Sequence, residues 1–139
     1  MDDCIFCKII KDELPSSKIY EDENHIAILD LFPVTKGHTL LIPKRHHVNV
    51  FDCDDELGKE TYPKLKILAK AIKEATGCNG LNIVQNNGAE AGQMVFHSHI
   101  HIIPRYPNDG IPIGAAGKNQ ASSEELLSMA QKIREHLGK

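Results

Sequence analysis

Between Phe96 and Pro104 three histidines, His97, His99 and His101, alternate with Ser98, Ile100 and Ile102. In an extended strand alternate side chains share a face, so this spacing predicts three imidazoles on one side and Ser98, Ile100 and Ile102 on the other. Imidazole serves as nucleophile, proton carrier or metal ligand near neutral pH, and three such rings without a task would be costly to bury. Just upstream, the loop over residues 86–93 contains Gly88 and Gly92. Such a loop can turn successive N–H groups toward an anion, and Gln93 would add a side-chain donor. Backbone donors beside a neutral imidazole suit nucleophilic attack on phosphorus, the donors stabilising charge on the phosphoryl oxygens.

Two further clusters carry chemistry. Cys4-Ile5-Phe6-Cys7 sets two thiolates within reach of one zinc ion, and tetrahedral zinc needs four donors. No second C-x-x-C pair exists, so histidine has to supply the rest: His46 or His47, after a strand ending at Pro43, and His97 are available. A thioredoxin-type redox pair would instead follow a strand of a βαβ unit, which this pair does not. A competing arrangement makes His97, His99 and His101 ligands of one hydrolytic zinc. The third cluster is apolar: Phe6, Ile9, Leu14, Ile28 and Leu31 read as core, and Asp30 sets a carboxylate within their run.

The elements that position these groups follow from hydrophobic spacing. Residues 19–21 and 25–31 read as two strands joined by the polar Asp22-Glu23-Asn24, residues 38–42 as a strand closed by Pro43, and 81–85 as another. Leu57, Leu65, Leu68, Ile72 and Ala75 recur at helical spacing up to Gly77, with Asp54 or Asp55 as the N-cap. Pro63 either kinks that helix or starts its main portion. Beyond Pro104 a Gly- and Pro-rich stretch runs to about Gln120, and Ser122-x-x-Glu125 opens a second helix with Leu126, Ala130, Ile133 and Leu137 as its apolar stripe. Strands without regular β-α alternation indicate an α+β domain.

Bulk properties bound the reading. The chain has 139 residues, 41% of them hydrophobic and 25% charged, which fits a single domain over 1–139 able to bury a core without disulfides. A formal net charge of -3 argues against broad nucleic-acid binding, which relies on a basic surface. No apolar run is long enough to span a membrane, and the acidic Met1-Asp2-Asp3 start lacks the positive region of a signal peptide, so the expected compartment is the cytoplasm.

These residues resemble the histidine triad (HIT) family, whose His-x-His-x-His signature followed by apolar residues is matched by His97, His99, His101, Ile102 and Ile103. Further blocks agree in order: Cys4-Ile5-Phe6-Cys7-Lys8-Ile9-Ile10, Tyr20-Glu21-Asp22, the run from Gly37 to Lys44, and Ala91-Gly92-Gln93. The resemblance covers about residues 4–106, with a variable C-terminal segment and helix over 107–139. It implies an antiparallel sheet with two main helices, extended by homodimerisation, and a purine-nucleotide cleft. By position, Phe6, Ile9, Leu14, Ile28 and Leu31 would contact the base and Asp30 the ribose hydroxyls. Asn86, Gly92, Gln93, Met94, Val95, His99 and His101 would surround the phosphate. The implied activity is hydrolysis of nucleoside 5′-phosphoramidates, with His99 attacking the α-phosphorus, His101 assisting, and the His97 carbonyl fixing the His99 tautomer. Dinucleoside polyphosphate hydrolysis and non-catalytic nucleotide binding are the alternatives. Zinc-binding relatives are similar at Cys4, Cys7, His46 and His97, which would make His97 structural. One departure stands out: many members carry Ser or Thr where this chain has Met94.

Overall fold

The computed structural model describes residues 3–138; Met1 and Asp2 of the acidic start, and Lys139, lie outside it. Its centre is a five-stranded antiparallel sheet in the order β1 (Lys18–Glu21), β2 (His25–Leu29), β3 (Thr39–Pro43), β5 (Ile100–Arg105), β4 (Gly80–Val84). Two long helices, α2 (Asp55–Thr76) and α3 (Ser123–His136), and a short α1 (Ile5–Ile10) complete the α+β architecture. The sequence shows no sign of α1, because six residues are too few for an amphipathic period and helices so short are not stable alone. Cys4 starts it, its sulfur accepting from the Cys7 N–H at 3.4 Å.

Two apolar layers cover the two faces of the sheet. Ala27, Leu29 and Leu41 pack with Leu65, Leu68, Ala71 and Ile72 of α2 and with Leu126, Ala130 and Ile133 of α3. Their strand neighbours Ile26, Ile28, Leu40 and Ile42 point the other way and pack with Phe6 and Ile9 of α1. The alternation of strand side chains explains the division. It also explains why β2 is buried at every position and shows no polar-apolar alternation.

Pro63 neither starts nor divides α2, which runs through it unbroken from Asp54 as N-cap to Gly77, whose φ of 68° ends the helix in the left-handed region. The α3 start is as read, Ser122 accepting from the Glu125 N–H at 3.1 Å. Gly37 meets a tighter demand: at φ +92° it approaches α2 so closely that a Cβ would lie 2.8 Å from the Thr76 methyl. That approach sets the entry of the chain into His38 and β3.

The histidine strand differs from its expected form. It begins at Ile100, with His97 in a bend and His99 in the connection that follows. The ladder to β3 pairs only Thr39 to Leu41 with Ile102 to Ile100. Upstream of that, Ser98 leaves the sheet to donate its N–H to the His47 carbonyl at 2.8 Å and to accept from the Gln85 amide. His101, opposite Leu40, faces α1, and Ile102 enters the helix-side core.

Candidate active site

The bend that takes His97 out of the strand gives it a different environment from the other two. Its Nε2–H donates to the Pro43 carbonyl at 2.8 Å, so the Nδ1 lone pair faces Cys4 Sγ at 3.3 Å, Cys7 Sγ at 3.5 Å and His46 Nδ1 at 3.1 Å. Burial pushes His97 down to about 4, keeping the ring neutral, the form that binds metal. Tetrahedral bonds of about 2.0–2.3 Å put donor atoms roughly 3.3–3.8 Å apart. The two sulfurs and two nitrogens therefore fit a structural zinc ion, and their soft, mixed donor set favours zinc over magnesium or calcium. Between the two adjacent histidines the tertiary structure selects His46; buried His47 turns its Nδ1 toward the Arg45 carbonyl and lies outside the cluster.

His99 Nδ1–H donates to the His97 carbonyl at 2.7 Å, which leaves Nε2 unprotonated. Burial lowers its pKa from 6.5, against a smaller upward push from that same hydrogen bond. A neutral ring with a fixed tautomer and an open Nε2 is a nucleophile in its reactive form. Phe6 of α1 stands edge-on to this ring at 5.1 Å and to His97 at 5.9 Å.

His101 is oriented by a residue to which the sequence reading assigned no role. The Val34 N–H donates to His38 Nδ1 at 2.9 Å, so the proton of His38 sits on Nε2 and is donated to His101 Nδ1 at 2.9 Å. His101 therefore carries its own proton on Nε2, with its ring centroid 5.0 Å from that of His99. The available signal was parity: His38 is two residues from Leu40, which pairs with His101, but only the β3–β5 register reveals it. Asp30, His38 and His101 also lie close enough to suggest a metal set. The Val34 N–H on His38 Nδ1 argues for a hydrogen-bond chain instead, because a ring bound through Nε2 would need its proton on the side where that donor sits. The proposed three-histidine zinc site fails for a related reason: the His97 ring joins the cysteines, His99 Nδ1 is held by a carbonyl and His101 Nδ1 by His38.

These buried rings make stability depend on pH. His38 and His101 are each held at about 4, chiefly by burial. In the unfolded chain they protonate near 6.5, so between about 6.5 and 4 the unfolded state binds more protons and stability falls as pH falls. Denaturant titrations should show a plateau above pH 7 and a loss of roughly 2–4 kcal/mol by pH 4.5. A profile flat across that range would contradict the assignment.

The glycine loop binds itself more than expected. The Gly88 N–H goes to Gln93 Oε1, and the Ala91, Gly92 and Gln93 amides return to Gly88 and Ala89 carbonyls. Gln93 is no free side-chain donor: its Nε2 serves the Val48 and Val95 carbonyls at 2.7 and 3.1 Å, and its Oε1 also accepts from Asn49. Gln93 instead braces the loop. Among the described residues the Met94 and Val95 amides meet no protein acceptor.

Of the remaining expected residues, Phe6, Ile9, Ile28 and Val95 gather on the α1 face. Phe6, Ile9 and Ile28 are buried there with Val95 packed beside them, while Leu14 and Leu31 are exposed. Asp30 Oδ1 accepts from the Phe32 N–H at 2.8 Å, its Oδ2 lies 3.6 Å from His38 Nε2, and burial raises its pKa. Asn86 reaches the Gly92 carbonyl at 3.5 Å. Met94 stands 84% exposed at the loop's end.

An α+β sheet presenting two neutral histidines beside a braced loop, with a thiol–imidazole cluster behind them, defines a histidine-centred class of site, and the chain that carries it is similar to known proteins. A family model, the HIT domain, matches residues 11–108. "Protein hit" of Bacillus subtilis is 47% identical over 139 residues, covering 98% of this chain and 95% of that one. The adenosine 5′-monophosphoramidase hnt1 of Schizosaccharomyces pombe is 39% identical, covering 94% and 95%. A zinc-bound histidine triad family protein of Mycobacterium smegmatis superimposes with a TM-score of 0.83 at 34% identity, covering 96% and 95%. The chain belongs to the HIT family.

Proposed function

We propose that this chain is a nucleotide hydrolase that cleaves purine nucleoside 5′-phosphoramidates through a nucleotidyl-His99 intermediate. The observation that carries the reading is the 2.7 Å bond from His99 Nδ1 to the His97 carbonyl, which leaves an unprotonated Nε2 in a buried neutral ring. His99 Nε2 attacks the α-phosphorus as the substrate P–N bond breaks and the amine leaves with a proton taken from solvent. Water then attacks the phosphorus, the bond to His99 Nε2 breaks, and the proton lost by water returns to solvent. The His101 Nε2–H and the Met94 and Val95 amides donate to the phosphoryl oxygens as charge develops. Phe6, Ile9 and Ile28 floor the base pocket, flanked by Leu14 and Leu31, and the Asp30 carboxylate accepts from the ribose hydroxyls. The S. pombe relative, a monophosphoramidase by name, supports this substrate class. A zinc ion held by Cys4, Cys7, His46 and His97 would serve structure alone, fixing the segment whose carbonyl orients His99.

Incubation with adenosine 5′-phosphoramidate should yield AMP and ammonia, and rapid acid-free quenching should trap nucleotide on His99. Hydrolysis of a dinucleoside tetraphosphate with none of the phosphoramidate would overturn the substrate assignment.

The same reading includes a homodimer. Among the described residues β4 is paired on one side only, and Ile83 on it, Tyr62 on α2 and Phe51 nearby in sequence to α2 are exposed apolar side chains. An unpaired edge with apolar neighbours is a template for a second strand. Light scattering should report a dimer at micromolar concentration and a monomer for Ile83→Lys. A wild-type monomer would refute it.

A further inference from the structure

The two sulfurs of the metal cluster belong to Cys7 of α1 and to Cys4, its N-cap, and α1 also forms a wall of the nucleotide site. We propose that Cys4 and Cys7 are a redox-reversible clasp on that site: hydrogen peroxide converts the pair to a disulfide, the metal leaves, and nucleotide binding weakens. The proposal rests on the metal and nucleotide readings above.

Geometry joins the clasp to the site by two routes. The first is α1 itself, six residues with only Phe6 and Ile9 buried, too short to persist without tertiary anchors. Its polar anchors are the sulfurs facing His46 Nδ1 and His97 Nδ1 at 3.3–3.5 Å. Phe6, between those sulfurs in sequence, touches the His99 ring, so release of α1 removes the base-side wall from the nucleophile. The second route is His97, whose ring belongs to the cluster and whose carbonyl holds His99.

The pair is spaced to form a disulfide. Cys4 caps α1 and Cys7 follows one turn later, and their sulfurs lie within 4.8 Å of each other without being bonded. Closing that gap to a disulfide of about 2.05 Å is the movement the proposal requires of the two side chains. One thiolate attacks the peroxide O–O bond, giving a sulfenic acid and hydroxide; the second thiolate attacks that sulfur and expels another hydroxide. With two protons taken up, peroxide has been reduced to two waters and two thiols oxidised by two electrons. Disulfide sulfur does not replace thiolate as a ligand, so the four-donor set falls to two imidazoles. Cys53 and Cys78 lie outside the cluster.

The test uses a Cys53→Ser/Cys78→Ala chain loaded with zinc and titrated with hydrogen peroxide. Three readouts are followed: free thiols, zinc released to a chromophoric chelator, and AMP affinity by calorimetry. The expected result is loss of two thiols with one zinc per chain and at least a tenfold rise in the AMP Kd, all reversed by dithiothreitol plus zinc. Peptide mapping of the wild-type chain reads the same disulfide if the double variant does not fold. Unchanged AMP affinity after the disulfide has formed overturns the clasp, as does zinc retained with both thiols intact. A reduced chain that takes up no zinc overturns it through the metal reading, and a zinc-loaded chain that binds no AMP overturns it through the functional one.

Discussion

His99→Ala should abolish turnover of adenosine 5′-phosphoramidate, with kcat lowered by roughly 10⁴-fold or more. The substitution removes the ring whose Nε2 is left open by a tautomer fixed from behind, through the 2.7 Å bond to the His97 carbonyl. His101 cannot replace it, because its Nδ1 is occupied by His38 and its Nε2 carries the proton. Binding should survive: the base-side residues Phe6, Ile9 and Ile28 and the Asp30 carboxylate belong to other elements, so the AMP Kd is expected to stay within about tenfold, as for a group acting mainly in the transition state. Mass spectrometry of quenched reactions should lose the nucleotidyl adduct. Full activity in His99→Ala would assign the chemistry elsewhere, and an adduct persisting on that variant would identify another nucleophile.

Removing the metal should have the largest effect on stability. The four donors come from three segments far apart in sequence, Cys4 and Cys7 from the cap and first turn of α1, His46 from the connection after β3, and His97 from the bend before β5. An ion that binds only the folded arrangement stabilises it through linkage, by about 4 kcal/mol when zinc stands 1,000-fold above its Kd. In a domain of this size that corresponds to roughly 10–15 °C in Tm. Chelator treatment, Cys7→Ala and His46→Ala should each lower Tm by this order, and the two variants should hold less than one zinc per chain by elemental analysis. Cys53→Ser, which leaves the cluster intact, is the control. A fully stable, metal-free wild type would refute the assignment.

Much of this architecture is legible in the chain. The capping Ser122, the stop at Gly77 and the helical spacing of Leu65, Leu68 and Ile72 are local signals, and local signals depend on neighbouring residues alone. Others mislead for identifiable reasons. Pro63 looks like a boundary, yet α2 passes through it, held by Leu57, Leu65 and Leu68 packing on either side. His97 and His99 read as strand by alternation, but Ser98 finds its hydrogen bonds on His47 and Gln85. Gln93 looks like a ligand donor, although its amide is fully engaged within the fold.

The sequence by itself determined which chemical groups the site is made of: three alternating imidazoles, a C-x-x-C pair and a glycine loop are residue types at spacings that few other chemistries require. What each imidazole does was decided only by the tertiary structure. Covalently the three are alike, and a histidine's role depends on which nitrogen carries its proton, which the partner on the other nitrogen sets. Those partners, the Pro43 carbonyl for His97, the His97 carbonyl for His99 and His38 for His101, are brought into place by strand register and chain bends.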